Sequence, residues 1–506
     1  MTFRTRAAAA AAALLLPLGA WAQSPPAPST AELLQRLEAQ EKRIEALEAA
    51  LRQQGGVSSA SGAVAAAPPP APPAPAPVPG TAPGSAVRPA VASAGSAPTP
   101  GVVQAGPQGF IVQSTDGANV LRLRANLAVD GRWFSDSGTK ESADTWLLRR
   151  ARPYIEGTVN NIYDFRLMPD FAGGKAVILD AFVAGRFQPW LVVQAGKFKA
   201  PVGLERLQPD QFNRFLELAL PSALVPNRDL GLQVGGDFLH GTVSYAIGAF
   251  DGTTDGASTD ANATPDADSN DGRKEWEGRL FTQPFVHSAN PYLRGFGVGV
   301  GGSYANEVGS PTNTLLPSYR TPGQQSLFGY RTGDTATYAD GRHYRLAPQL
   351  YYYSGSFGLL SEYVRSSQDV SRTLSSALTR SATLDNSAWQ VSLAYFLTGE
   401  RESYNSFVPN STFQPGHPGW GAWEIALRYH ELHIDPEAFA GGADSFADPA
   451  LAANTVRAYG IGLNWYLNQN IKWMLDYERA TFDGGGKNGS DRGDEAAILT
   501  RFSLIF

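Results

Sequence analysis

The chain has 506 residues, a formal net charge of −6 and no cysteine. That length holds a large domain with additional segments. The charge gives no basic bias toward nucleic acid, and the lack of cysteine excludes disulfides and thiolate metal sites. The 53 glycines and 11% aromatic residues suit many strands joined by turns. Beyond residue 22 no apolar run is long enough for a helical membrane span. A transmembrane barrel escapes that test, because half of each of its strands is polar.

Residues 1–22 read as a secretory signal peptide. Arg4 and Arg6 supply the positive start, Ala7 to Leu18 the apolar core, and Ala20-Trp21-Ala22 the small-residue cleavage site. Over 30–53, Leu37, Ile44 and Leu51 are seven apart, and Leu33, Gln40 and Leu47 fill the complementary heptad position. This predicts a short α-helical coiled coil. A lone helix of this length is marginal in water, so partner chains are expected, a homotrimer in the reading developed below. Residues 54–108 are rich in Ala, Pro, Gly and Ser, as in PPPAPPAPAPVPGTAPG, and predict a disordered linker.

From Gly109 to Phe506 the sequence alternates. The predicted fold is all-β, an antiparallel transmembrane barrel of about 16 strands. They fall near 119–134, 146–159, 163–171, 178–187, 190–199, 229–238, 241–250, 274–286, 294–306, 344–354, 357–369, 387–398, 421–434, 456–467, 471–483 and 495–506. Short connections such as Asn160–Ile162 and Gly355-Ser356 alternate with long ones such as 200–228, 251–273 and 307–343. That is the pattern of an outer-membrane barrel with periplasmic turns and extracellular loops. Residues 399–420 break it, being long at the short-turn end. The last strand, EAAILTRFSLIF, sets Ile498, Thr500, Phe502, Leu504 and Phe506 on one mostly apolar face, with Arg501 and Ser503 between them. Such a strand needs the closed edge of a barrel.

Parity sorts the charges. Leu121, Leu123, Leu127 and Val129 share one face of the first strand, and Arg122, Arg124, Asp130 and Arg132 the other. In the second, Leu147, Ile155 and Val159 are read outward, with Arg150, Arg152 and Glu156 inward. In the third, Tyr163, Phe165 and Leu167 face out, with Asp164, Arg166 and Asp170 inward. Arginine at the lipid midplane costs about 2–4 kcal/mol, so the charged face is the lumen. Lys197 and Lys199 share parity on the fifth strand. This bank of cations presents planar forks to oxyanions, or else forms a salt-bridge lattice with the neighbouring carboxylates. The connection 200–228 carries Arg206, Arg214 and Arg228 amid Phe212, Phe215 and Leu218. So apolar a loop is expected to fold into the barrel and constrict it.

Other patterns carry less. Asp266, Asp268, Asn270 and Glu277 approach a calcium loop, but Asp271 stands where that loop requires glycine, so an acidic surface loop is expected. His430 and His433, three apart on a strand, point to opposite faces and cannot share a metal. Gly484 to Lys487 is followed by Asn488 and is no phosphate-binding P-loop. No cofactor, metal or enzymatic constellation is indicated.

LLRRARPYIEGTVNNIYDFRLMPDF, LDAFVAGRF, AGKFKAPVGLERL and, at 419–434, GWGAWEIALRYHELHI together resemble the phosphate- and polyphosphate-selective porins O and P. The resemblance implies a sixteen-stranded trimeric outer-membrane channel with inward-folded loops and a basic lumen. It also implies that the long 399–420 turn enters the barrel, and an N-terminal coiled coil occurs in some members. The function expected is passive diffusion of small anions, with phosphate or polyphosphate as candidates. A sugar porin would use the inward aromatics Tyr351, Tyr466 and Phe482. A structural tether would use the coiled coil for cell-wall contact, with the barrel as an anchor in outer-membrane lipid. The chain departs from the implied lysine-rich lumen: it is lysine-poor, and its arginines are accompanied by carboxylates.

Overall fold

The structure is a computed structural model and describes residues 101–137, 143–259 and 273–506. The signal segment, the coiled coil, the linker up to residue 100, and Asp266, Asp268, Asn270 and Asp271 lie outside the described residues. Among the described residues no helix is long and apolar enough to cross a membrane.

Two short strands, β1 (Val102–Gly106) and β2 (Gly109–Gln113), pair with each other, with Val103 opposite Val112. The linker boundary expected at 108 therefore moves back to about 101. Gly109, at φ 85°, makes the reversal, and a Cβ there would meet the Leu123 carbonyl.

The barrel begins with β3 (Val120–Ser137), β4 (Thr145–Val159), β5 (Tyr163–Asp170), β6 (Val177–Gln188) and β7 (Leu191–Lys199). It continues through β8 (Arg228–Phe238), β9 (Val243–Phe250), β10 (Glu275–Thr282) and β11 (Phe296–Val308). A two-stranded ribbon, β12 (Ser318–Arg320) and β13 (Ser326–Gly329), sits in the next connection. The rest of the wall is β14 (Thr337–Ser354), β15 (Phe357–Ser375), β16 (Leu378–Phe396), β17 (Ala422–His433), β18 (Ala453–Tyr466), β19 (Ile471–Gly484) and β20 (Glu495–Ile505). Each wall strand pairs antiparallel with the next, and β20 closes on β3 with Leu504 opposite Leu127 and Arg501 opposite Asp130. The barrel is closed and has 16 strands, each overlapping one of the expected segments. Strand β2 prolongs the closing edge, pairing with β3 just beyond the point where β20 ends.

The outer face follows the alternation. Leu123, Leu127, Val129, Ile155, Leu167, Val183, Leu232, Ile247, Ile461, Ile498 and Phe502 are exposed around the wall. Exposed aromatics gather near the short-turn end, at Tyr163, Phe187, Trp190, Phe238, Tyr292 and Trp420, and others at the opposite end, at Trp146, Trp276 and Tyr304. An apolar band between two aromatic girdles is the surface a bilayer requires.

Two stretches depart from the expected pattern. Strands β15 and β16 do not stop at 369 and 387 but continue to a turn at 376–377. The sequence there is Ser/Thr-rich and only weakly alternating. Pairing decides it, through contacts such as Val370 opposite Ala382. In β4 a bulge at Arg149 shifts the parity, so Trp146 and Leu148 face outward rather than Leu147. Tight turns recur at the other end; Asn160 and Asn161, at φ 52° and 60°, supply the left-handed backbone that such a reversal needs.

An epitope inserted at Gly485 or Ala377 is expected to be reachable by antibody on intact cells, and one at Gly355 only after permeabilisation. The reverse labelling would overturn this orientation.

Candidate pore constriction

Residues 200–227 leave the wall after β7 and run into the lumen, mostly without regular structure apart from one helical turn and two 3-10 turns. Val202, Leu220, Leu224 and Val225 join a core with Ala347, Val364, Leu384, Ala388, Leu432, Val456 and Ala458 of the β14–β18 wall. Each fully buried Leu or Val side chain contributes roughly 1.5–3 kcal/mol. The backbone of such a segment must still find partners inside the membrane depth. Wall side chains provide them. The Leu204, Leu216 and Leu220 N–H groups donate to Glu362 at 2.6 Å, Asp476 at 2.6 Å and His430 Nδ1 at 3.0 Å. The Asn213, Arg214, Leu216 and Glu217 carbonyls accept from Lys472, Asn464, Arg501 and Arg428 at 2.7 to 2.9 Å.

The long turn 397–421 enters from the other end, as the family resemblance implies. Tyr404 stacks on Tyr351 with ring centroids 5.3 Å apart, and its hydroxyl donates to the Leu204 carbonyl at 2.6 Å. Phe407 packs between Phe396 and Tyr466. Arg214 reaches Glu402 at 2.5 Å and Glu424 at 3.2 Å. Loop and turn thus fill the β14–β20 side, and open space remains along β3–β10.

That space forms two chambers, and a third cavity, of about 600 Å³, opens beside the turn between Arg279, Tyr351, Tyr353 and Glu402. An inner one, of about 610 Å³, lies toward the short-turn end. An outer one, of about 650 Å³, lies toward the long loops. Arg152, Lys199, Asp210 and Arg228 border both, so they mark the passage between them. The outer chamber adds Arg149, Arg150, Arg206 and Arg320, against Asp170, Glu217 and Asp255. The inner chamber adds Arg124, Arg166 and Arg279, against Asp180. Basic groups outnumber acidic ones in both.

At the passage, Asp210 on the loop faces Arg150 at 3.4 Å, Lys199 at 3.9 Å and Arg152. Burial by itself would raise the Asp210 carboxyl, but Arg150, Lys199, Arg152 and Arg228 hold it well below the usual carboxylate range. Burial, with Arg228 beside it, pushes the Arg206 guanidinium down to about 10, still charged at neutral pH. Arg152 also pairs with Asp170 at 2.6 Å, and Arg228 with Asp180 at 2.7 Å. Among the described residues Arg150 has one ion pair, to Asp210, and its Nε lacks a hydrogen-bond partner.

Of the residues singled out in the sequence, Arg124, Arg150, Arg152, Arg166, Lys199, Arg206 and Arg228 line the chambers. The others lie elsewhere. Arg122 is half-buried near the short-turn end, opposite Glu156 and Ile111 of β2. Arg132 is buried against Glu217 at 2.6 Å. Lys197 donates to the Thr259 carbonyl instead of joining Lys199. Arg214 braces the loop against the turn. Part of the bank is a lattice, since Glu156 holds both Arg124 and Arg166. Parity missed Arg149, which the bulge turns inward onto Glu217 at 3.0 Å; the consecutive Arg149-Arg150-Ala151-Arg152 was a readable break in alternation. It also missed Asp210, Arg279 and Arg320. Tyr351, Tyr466 and Phe482 are divided among three separate cores and form no continuous track.

The family model described as phosphate-selective porin O and P matches residues 121–506. The chain belongs to the phosphate-selective porin O and P family. A curated relative, Porin O of Pseudomonas aeruginosa, is 31% identical over 116 residues, which cover 22% of this chain and 25% of that protein. The match thus spans about a quarter of the relative's length. Solved structures similar to this porin include the outer membrane channel DcaP of Acinetobacter baumannii (11% identity, TM-score 0.46, 78% of this chain and 99% of that one). An anion-selective porin from Comamonas acidovorans is another (10% identity, TM-score 0.45, 77% and 100%). The family and the barrel place this porin in the outer membrane and point to a channel.

Arg501 ties the porin's closing seam to its loop, donating to Asp130 at 2.7 and 2.8 Å and to the Leu216 carbonyl. Arg501→Met leaves Asp130 buried with only Arg132, at 3.4 Å, and should destabilise the barrel by about 3–5 kcal/mol. Thermal melting in detergent reads this directly; an unchanged transition would show that the seam does not depend on the pair.

Proposed function

We propose that this porin passes small anions down their gradient, with Arg150, Arg152, Lys199 and Arg228 forming the selective passage around Asp210. Phosphate is the candidate ligand. The observation that carries the reading is the passage itself: Arg152, Lys199 and Arg228 border both basic chambers around one shared carboxylate, Asp210, and Arg150 meets that carboxylate from the outer chamber. Guanidinium forks are weakly hydrated and suit tetrahedral oxyanions. Arg149 and Arg320 on the outer side, and Arg166 and Arg279 on the inner, extend the attraction along the path. Conduction needs such weak sequential sites, strong enough to admit an ion and weak enough to release it. The Debye length at physiological salt is about 8 Å, so discrimination belongs to the narrow passage rather than to the vestibules.

Asp210 moderates the preference. It partly neutralises the cations around it, which supports modest anion selectivity over tight phosphate capture. In this reading the long loops face outward, the short turns and the N-terminal segment face the periplasm, and the functional unit is a homotrimer. A sugar porin is less well supported, because its aromatic path is not continuous.

The test is the reversal potential in a KCl gradient across a planar bilayer, repeated with phosphate. A unit charge about 5 Å from a permeating ion in a water-filled bore is worth about 0.8 kcal/mol, roughly a fourfold change in permeability ratio. Asp210→Asn is expected to raise anion preference by about that factor, and Lys199→Gln to lower it similarly. A cation-selective wild-type pore, or one blocked by maltooligosaccharides and indifferent to phosphate, would overturn the assignment.

A further inference from the structure

Three carboxylates meet at the root of the connection between β9 and β10. Asp229 stands near the start of β8, and Glu275 and Glu277 at the start of β10. Strand β9 pairs with both, so the trio reaches across it. One oxygen from each residue lies within 4.8 Å of the others, and all three side chains are buried.

Their partners differ. Asp229 accepts from the Leu230 and Gly252 N–H groups at 2.7 and 2.9 Å and from the Thr259 hydroxyl at 2.5 Å. Glu275 accepts from Arg345 and from the Thr253 N–H at 3.4 Å. Glu277 is 1% exposed, and neither of its oxygens has a hydrogen-bond partner among the described residues. Its neighbours in register, Gly248 and Ser303, bring no cation. Arg345 is already held by Asp255 at 2.6 Å, by the Ser303 hydroxyl at 3.0 Å and by the Thr253 carbonyl at 2.7 Å. A buried carboxylate with no donor persists only if a proton or a cation joins it.

We propose that Asp229, Glu275 and Glu277 form a calcium site that clamps β8 to β10 beside residues 251–259. The donors are all carboxylate oxygens, which select a hard cation. Calcium accepts irregular and bidentate carboxylate geometry, whereas magnesium demands a near-ideal octahedron and gives up its waters reluctantly. The neighbouring Thr254, Asp255, Gly256 and Ala257 line the outer chamber, so the ion would fix part of the vestibule wall.

The experiment uses full-length protein refolded from inclusion bodies into detergent, free of lipopolysaccharide and stripped with EDTA. It is titrated with calcium chloride by calorimetry, and melting is followed in parallel. One calcium per chain is expected, with a Kd between about 10⁻⁵ and 10⁻³ M and a melting temperature that rises and saturates over the same range. Magnesium should bind more weakly. Glu277→Gln, nearly isosteric, should fold without calcium and lose more than about tenfold in affinity. If that variant does not fold, Glu277→Asp, which keeps the charge but withdraws it by one methylene, should weaken binding. No heat and no melting shift in the wild type up to about 10 mM calcium would overturn the site and leave a shared proton as the alternative. Full affinity in the Glu277 variant that folds would overturn it too, by placing the ion elsewhere on the chain.

Discussion

An irregular segment held inside the membrane depth has to find a hydrogen-bond partner for every backbone group it buries. Residues 200–227 impose that constraint here, and much of the far wall is arranged to meet it. Glu362, His430, Asn464, Lys472, Asp476 and Arg501 all point inward and contact the loop's main chain. Viewed as lumen charges they suggest a mixed, almost neutral channel. Viewed as partners for the loop they are structural, and the electrostatics of the path belongs to the residues that remain.

Those residues lie on the opposite side. Strands β3–β8 carry Arg124, Arg150, Arg152, Arg166, Lys199 and Arg228, and the loop meets them with Asp210 and Arg206. The interior therefore divides in two. One side is a packed core with apolar contacts and a filled turn, and the other an open, basic groove. Packing on the first side holds Asp210 at the second. His430 shows the coupling at one residue: its Nδ1 accepts from Leu220, so that nitrogen carries no proton, and the ring serves the loop rather than any ligand.

The carboxylates within the groove make the cations less available than their number suggests. Glu156 holds two arginines, Asp170 and Asp180 engage Arg152 and Arg228, and Glu217 holds Arg132 and Arg149. A guanidinium has five donors, so pairing with one carboxylate leaves others free for a passing oxyanion. Pairing also fixes the side chains in place, which supplies geometry at some cost in field strength. In the function proposed here, arginine with acidic partners replaces a lysine-rich lumen, with discrimination resting on placement more than on net charge.

Much of this protein is fixed locally and was legible in the sequence. Alternation with period two determined the existence and order of the sixteen wall strands and, away from the top of β4, the lipid face of those whose parity was read, because a bilayer tolerates only an apolar outer surface. The apolar character of 200–227 determined that it could not remain in water. Three things were decided only by tertiary structure. Pairing across the sheet carried β15 and β16 through a weakly patterned stretch and drew Val102–Gly106 out of the expected linker. A single bulge at Arg149 reversed the faces at the top of β4, since one extra residue inverts every parity beyond it. The choice among inward charges was the largest of the three. Arg132 and Arg214 became braces while Arg150 and Lys199 came to line the path, because that depends on where a loop distant in sequence comes to rest against them.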